Sequence, residues 1–200
     1  GKTAEEYCEA VERLSGCDID MLEINISCPN VKEGSIAFGQ DPARVQEITS
    51  RVKRYSKKPI IIKLSPNVTD ISENAKAAEA GGADAISLIN TLTGMKIDVE
   101  RRTFLLANKT GGLSGPAIKP IAVRMVYQAA RAVKIPVIGM GGIMNAEDAL
   151  EFIMAGATMV AVGTANFINP KATIEVIDGI KAYMIRNNIK DINELIGCVR

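Results

Sequence analysis

A chain of 200 residues with a formal charge of +1, 47% apolar and only 4% aromatic residues has the make-up of one soluble globular domain, residues 1–200, with a sizeable core. Balanced charge and scarce aromatics argue against a nucleic-acid surface, and neither a membrane-length apolar run nor a charged-then-apolar leader is present in the sequence. Four cysteines without a CxxC pair suit a reduced, cytoplasmic protein, and no metal site is expected.

A leading helix is expected over residues 4–14, followed by a strand over residues 21–26. That strand runs into Ser27-Cys28-Pro29-Asn30, where Pro29 cannot donate a ladder hydrogen bond and stops it. Asp41-Pro42 supplies an N-cap and a first-turn proline for a helix with Val45, Ile48, Val52 and Tyr55 on its inner face. Further strands are expected over residues 59–64, 84–89, 135–139 and 158–162, each a near-continuous apolar run of the kind buried on both faces of a parallel sheet. Asp70 and Asn145 read as caps of intervening helices that end at Gly81 and Gly156. Ile174, Ile177, Ile180 and Met184 mark the inner face of a closing helix. The connection from Asn90 to Ala117 is unusually long, which points to a functional or disordered loop.

This alternation is an α/β pattern built on a parallel sheet, either doubly wound or part of a (β/α)8 barrel. Five strands are too few to close an eight-stranded barrel, so a barrel reading means that roughly the first three strands are absent.

The unusual polar and glycine residues fall at the C-terminal ends of the predicted strands, the rim where such folds bind ligands. Asn25 and Cys28 close the first strand, Lys63 nearly closes the second, and Asn90-Thr91 closes the third. Gly141-Gly142 and Gly163-Thr164 follow the last two. Two glycine turns in consecutive loops suit a phosphate group, because glycine lets backbone amides approach an anion closely. Neither turn is a Walker loop or a GxGxxG fingerprint, so a phosphorylated cofactor or substrate is favoured. Lys63, after three isoleucines, either neutralises a bound anion or extends its ammonium to the mouth of the sheet. Asn25, Asn30, Asn90 and Thr91 both donate and accept, which suits a ring bearing carbonyls and N–H groups. Cys28 is open to three readings: inert core thiol, nucleophile or general base. The chain contains no histidine to activate a nucleophile, which favours the base.

The segments NISCPN, PIIIKLSPNVTD, ISLINT, ANKTGGLSGPAIKP, VIGMGGI and AVGTA, in collinear order along the whole chain, resemble the class 1 dihydroorotate dehydrogenases. The resemblance is strongest to the class 1B catalytic subunits, on INTLTGMKID and the GGLSG segment. It implies an incomplete (β/α)8 TIM barrel holding FMN at its C-terminal rim, and oxidation of dihydroorotate to orotate in pyrimidine biosynthesis. By motif match, Cys28 is the base that takes the C5 proton while hydride leaves C6 for the flavin. Asn25, Asn30, Asn90 and Thr91 match the pyrimidine-binding positions. Asn25, Lys63, Ile89 and Gly115 match flavin contacts, and Gly141, Gly142, Gly163 and Thr164 match the phosphate cradle. The resemblance also implies a homodimer and a partner subunit carrying FAD and a 2Fe-2S cluster, which passes electrons to NAD. The family's amino-terminal third has no counterpart here, so the 200 residues alone are expected to be weakly active or inactive. Two other functions fit the same residues: a dihydropyrimidine dehydrogenase-like FMN domain, whose relatives tend to carry histidine where this chain has Asn30, and a non-catalytic FMN-binding barrel fragment.

Overall fold

A computed structural model of the chain describes residues 3–27 and 39–199. The elements run α1 (Ala4–Leu14), β1 (Leu22–Asn25), α2 (Pro42–Tyr55), β2 (Ile60–Lys63), α3 (Ile71–Ala80) and β3 (Ala85–Leu88). Four short strands follow: β4 (Leu92–Met95), β5 (Ile97–Asp98), β6 (Thr103–Phe104) and β7 (Thr110–Leu113). The chain then continues through α4 (Lys119–Ala132), β8 (Val137–Met140), α5 (Ala146–Ala155), β9 (Met159–Ala161), α6 (Ala165–Ile168) and α7 (Ala172–Arg186). The caps lie where the sequence places them. The side chains of Asp41, Asp70 and Asn145 accept from backbone N–H groups in the first turns of α2, α3 and α5.

Strands β1, β2, β3, β8 and β9 pair in parallel and in chain order. A doubly wound sheet reverses its strand order at a switch point, whereas this one never reverses. The helices agree with that. Each of α1 to α5 packs against the next, and α5 packs against α7, so they form one continuous layer on one face of the sheet. Both features are those of consecutive βα units in a (β/α)8 barrel.

The core lies between this helix layer and the sheet. Ile24, Ile60, Ile62, Ile86, Leu88 and Val137 point into it, with Val45, Ile48, Val52, Val126 and Phe152 from the helices. Gly139 belongs to this face of β8. A Cβ there would lie 2.7 Å from Phe152 Cδ1, so the missing side chain is what lets α5 close on the sheet. The alternate residues face the other way, and that second face carries the sheet's polar side chains, Glu23 and Asn25 on β1, Lys63 on β2 and Ser87 on β3, among apolar ones such as Ile61, Ile138 and Met140.

Three expectations need correction. The closing helix turns a different face inward. Ile174 and Ile177 are exposed, while Ala172 and Val176 are buried. Gly179 sits directly against Ala146 at the start of α5, which rotates the contact stripe onto 172, 176, 180 and 183; of the expected isoleucines Ile180 packs inward, while Ile174 and Ile177 stay outside. Tyr55 ends α2 and is also exposed. The long connection after Asn90 is neither structureless nor one loop. It folds into two antiparallel ribbons, β4 with β7 and β5 with β6. Among the remaining cysteines, Cys8 is buried and Cys17 and Cys198 are exposed, all as free thiols. Among the described residues, no helix is long and apolar enough to cross a membrane.

Candidate active site

The face of the sheet away from the helices opens at its C-terminal rim into a cleft of about 390 Å³, within the range typical of small-molecule and cofactor sites. Every predicted site residue among the described ones lines it, except Asn25: Lys63, Ile89, Asn90, Thr91, Gly115, Gly141, Gly142, Gly163 and Thr164. Asn25 lies beside the cleft and is tied to it, its Oδ1 accepting from Asn90 Nδ2 at 3.0 Å. Cys28 and Asn30 lie outside the described residues.

One end of the cleft is a meeting of three turns. Thr164 Oγ1 donates to Ser114 Oγ at 3.2 Å, which brings the turn after β9 to the segment after β7. The backbone carbonyl of Gly115 lies 2.7 Å from where a Cβ of Gly142 would stand. Gly141 and Gly142 have φ of 130° and 80°, in the region that disfavours any side chain. Gly163 has no heavy atom within 4 Å of its ideal Cβ, so its bare backbone faces open space. The arrangement is a concave glycine-lined cradle in which backbone groups can reach an anion without side-chain interference. The residues present therefore fit the phosphate end of a flavin nucleotide.

The cradle is braced from behind. Lys119, at the start of α4, donates from Nζ to Asp148 Oδ1 at 2.6 Å and also pairs with Glu151. The other oxygen of Asp148 accepts from the Met144 N–H at 2.9 Å, so one buried carboxylate ties the turn after β8 to α4. Burial opposes the charged form of Asp148, but the Lys119 ammonium and the Met144 amide outweigh it and hold the carboxyl below its ordinary value. A depressed folded-state value adds stability above the unfolded carboxylate range and loses it as pH falls through the folded value. Asp148→Asn is therefore expected to lower the thermal midpoint at pH 7, by about 1–3 kcal/mol of stability. The gap from the parent protein should begin to narrow in melts taken below about pH 4 and close only below the depressed folded value.

The opposite end is a net of amides and hydroxyls. Asn25 Oδ1 accepts from the Ser27 N–H at 3.2 Å, and Asn90 Nδ2 also donates to Ser27 Oγ at 2.8 Å. Asn90 Oδ1 accepts from the Thr91 N–H at 2.7 Å. Asn67 then holds the next turn, donating to the Thr91 carbonyl at 3.1 Å and accepting from the Thr93 N–H at 3.0 Å. These bonds fix the Asn25 and Asn90 side chains at the strand ends before any ligand arrives.

Four residues here escape a reading for motifs. Ser27 and Asn67 sit inside quoted motifs and act as struts between their neighbours. Ser114 joins two turns that are far apart in the chain. Glu23 lines the cleft beside Lys63, its Oε1 3.5 Å from the Lys63 ammonium. A two-residue period from Asn25 back to Glu23 signals that both face the same way.

A family model described as dihydroorotate dehydrogenase matches residues 1–184. The chain is 72% identical over 200 residues to the dihydroorotate dehydrogenase B (NAD(+)), catalytic subunit, of Lachnoclostridium phytofermentans, covering all of this chain and 67% of that protein. It is 64% identical over 197 residues to the protein of the same name from Alkaliphilus metalliredigens, covering 98% of this chain and 65% of that one. The chain thus spans about two thirds of the length of these curated relatives. Among solved structures it is similar to DHODH in complex with ferulenol from Eimeria tenella, with a TM-score of 0.82 at 24% identity over 98% of this chain and 57% of that one. That likeness speaks to the barrel fold. With the family model running across nearly its whole length and relatives this similar along all of it, the chain belongs to the dihydroorotate dehydrogenase family.

Proposed function

We propose that the protein containing this chain oxidises dihydroorotate to orotate in pyrimidine biosynthesis, as a cytoplasmic class 1B catalytic subunit. The observation that carries the reading is one cleft that joins a glycine cradle at one end to a fixed net of amides at the other, with Lys63 on its wall. An anionic tail and a polar heterocycle are the two things such ends would hold. The 72% identity to a protein named as a dihydroorotate dehydrogenase B catalytic subunit supports the same reaction.

The residues divide the work by chemistry. Gly141, Gly142, Gly163 and Thr164 receive the FMN phosphate, and Gly115 closes the cradle beside them. Lys63, Ile89 and Asn25 lie against the ring system. Asn25, Asn30, Asn90 and Thr91 hold the pyrimidine, matching its carbonyls and N–H groups with amides that donate and accept. Cys28 takes the proton from C5, a role that needs a thiolate in place and no histidine partner. FMN, when bound, supplies the acceptor for the hydride that leaves C6. A partner subunit carrying FAD and a 2Fe-2S cluster takes the electrons on to NAD, and the catalytic subunits pair as a homodimer. The words "NAD(+)" and "catalytic subunit" in the relatives' name agree with such a partner.

The test is turnover by the complete protein, assayed with dihydroorotate and a dye acceptor and, separately, with uracil and a reduced nicotinamide. Dye reduction that depends on dihydroorotate is the expected result. Uracil reduction without dihydroorotate turnover would replace this reading with a dihydropyrimidine dehydrogenase-like one. In the same assay Asn90→Ala should raise KM for dihydroorotate by about 10- to 100-fold, the cost of one or two lost hydrogen bonds.

A further inference from the structure

We infer that Glu23 is the counter-ion that sets the charge Lys63 presents to the cleft, and so tunes the reduction potential of a flavin held there. This rests on the reading of the cleft as an FMN site. Of the described residues that line the cleft, Glu23 and Lys63 are the two that carry charge. With both present the lining is neutral, and without the carboxylate it carries one positive charge.

The strand register makes the pairing a built feature. Asn25 pairs with Lys63 across β1 and β2, and Lys63 pairs with Ser87 across β2 and β3. Glu23 lies two residues before Asn25, so its side chain shares their face of the sheet and leans across two neighbouring strands. Oε1 lies 3.5 Å from Lys63 Nζ, and Oε2 accepts from Ser87 Oγ at 2.9 Å. Ser87 has no exposed surface, so its hydroxyl is sheltered from competing water and its bond orients the carboxylate. The Lys63 side chain is 23% exposed and that of Glu23 36%, so the pair sits at the cleft wall with solvent screening part of its charge.

The geometry also places this pair at the right reach. Lys63 is on β2, while the cradle follows β8 and β9, two and three strands away. At the usual interstrand spacing of about 4.8 Å, that is roughly 10–15 Å, the span of a ring tethered to a phosphate. A group whose tail sits in the cradle therefore brings its other end to Lys63 and Glu23.

The experiment is an equilibrium redox titration of the complete FMN-loaded protein and its Glu23→Gln, Glu23→Ala and Glu23→Asp variants. Glutamine keeps the shape and can still accept from Ser87, so it removes the charge and little else. Loss of the negative charge should favour the reduced form of the bound cofactor about tenfold, an upward shift of about 30 mV for a two-electron couple. Glu23→Ala should move the same way, and Glu23→Asp should stay near the parent value. A yellow Glu23→Gln protein with an unchanged or lower potential would overturn the inference while leaving the site reading intact, and so would one that lost thermal stability alone. A complete protein that takes up no FMN would overturn the site reading, and this inference with it.

Discussion

Replacing Cys28 by serine in the complete protein is expected to leave a folded, yellow protein whose dihydroorotate turnover falls by roughly 10²- to 10⁴-fold, the usual worth of a placed general base. The substitution is nearly isosteric and keeps a hydrogen-bonding group, so the pocket is preserved. What it removes is the readily ionised thiol, and a hydroxyl is a far weaker base. The chain has no histidine to take over. If proton removal from C5 becomes the slow step, deuterium at C5 should slow the variant more than it slows the parent. Orotate affinity should change by only a few-fold, because the ring contacts proposed for Asn25, Asn90 and Thr91 are left untouched. Unchanged turnover in Cys28→Ser would point to a barrel that binds FMN without this catalysis.

Gly142→Ala is the second large effect, and its cause is visible in the structure. A residue with φ of 80° is disfavoured for any L side chain by about 1–2 kcal/mol. The added methyl would also stand 2.7 Å from the Gly115 carbonyl and 2.9 Å from Lys119 Cβ. Two of the three turns of the cradle are pushed apart together. The variant should purify with little or no flavin and melt about 5–10 °C lower, as a loss of 2–3 kcal/mol does in a protein of this size. Gly163→Ala provides the contrast. Its Cβ would meet nothing within 4 Å, so the apoprotein should melt like the parent. The same methyl would enter the space that the phosphate needs, and FMN affinity should fall. A Gly163→Ala protein with unaltered FMN affinity would place the phosphate elsewhere.

Local chemistry was the legible part of this sequence. A capping side chain acts on amides two or three residues away, so Asp41, Asp70 and Asn145 announce the helices they begin. Parallel strands buried among helices announce themselves as apolar runs. The same runs concealed Glu23, because a mostly apolar strand does not display which face is polar until its neighbours are known. Strand order separated barrel from doubly wound sheet, and order is a property of pairing across the chain. The inward face of α7 includes Ile180 but not Ile174 or Ile177, because a glycine, Gly179, makes the close contact and hydrophobic periodicity gives a glycine no weight. The ribbons after Asn90 are short and rich in glycine, which weakens any strand pattern. For the site, the rim positions were legible residue by residue, and their convergence was not. Gly115 and Gly142 are far apart in sequence, and only the folded chain puts the carbonyl of one beneath the other. Cys28 and Asn30 rest on their motif, since they lie outside the described residues.

The proposed function requires one cleft both to bind a flavin and to oxidise dihydroorotate. Anaerobic addition of dihydroorotate to the complete, FMN-loaded protein tests it most directly, followed by flavin absorbance with orotate measured in the same sample. Bleaching of the flavin band is expected, with one orotate formed per flavin bleached, and no bleaching by dihydrouracil at equal concentration. A flavin band that stays unbleached under dihydroorotate, or bleaches under dihydrouracil instead, would contradict it.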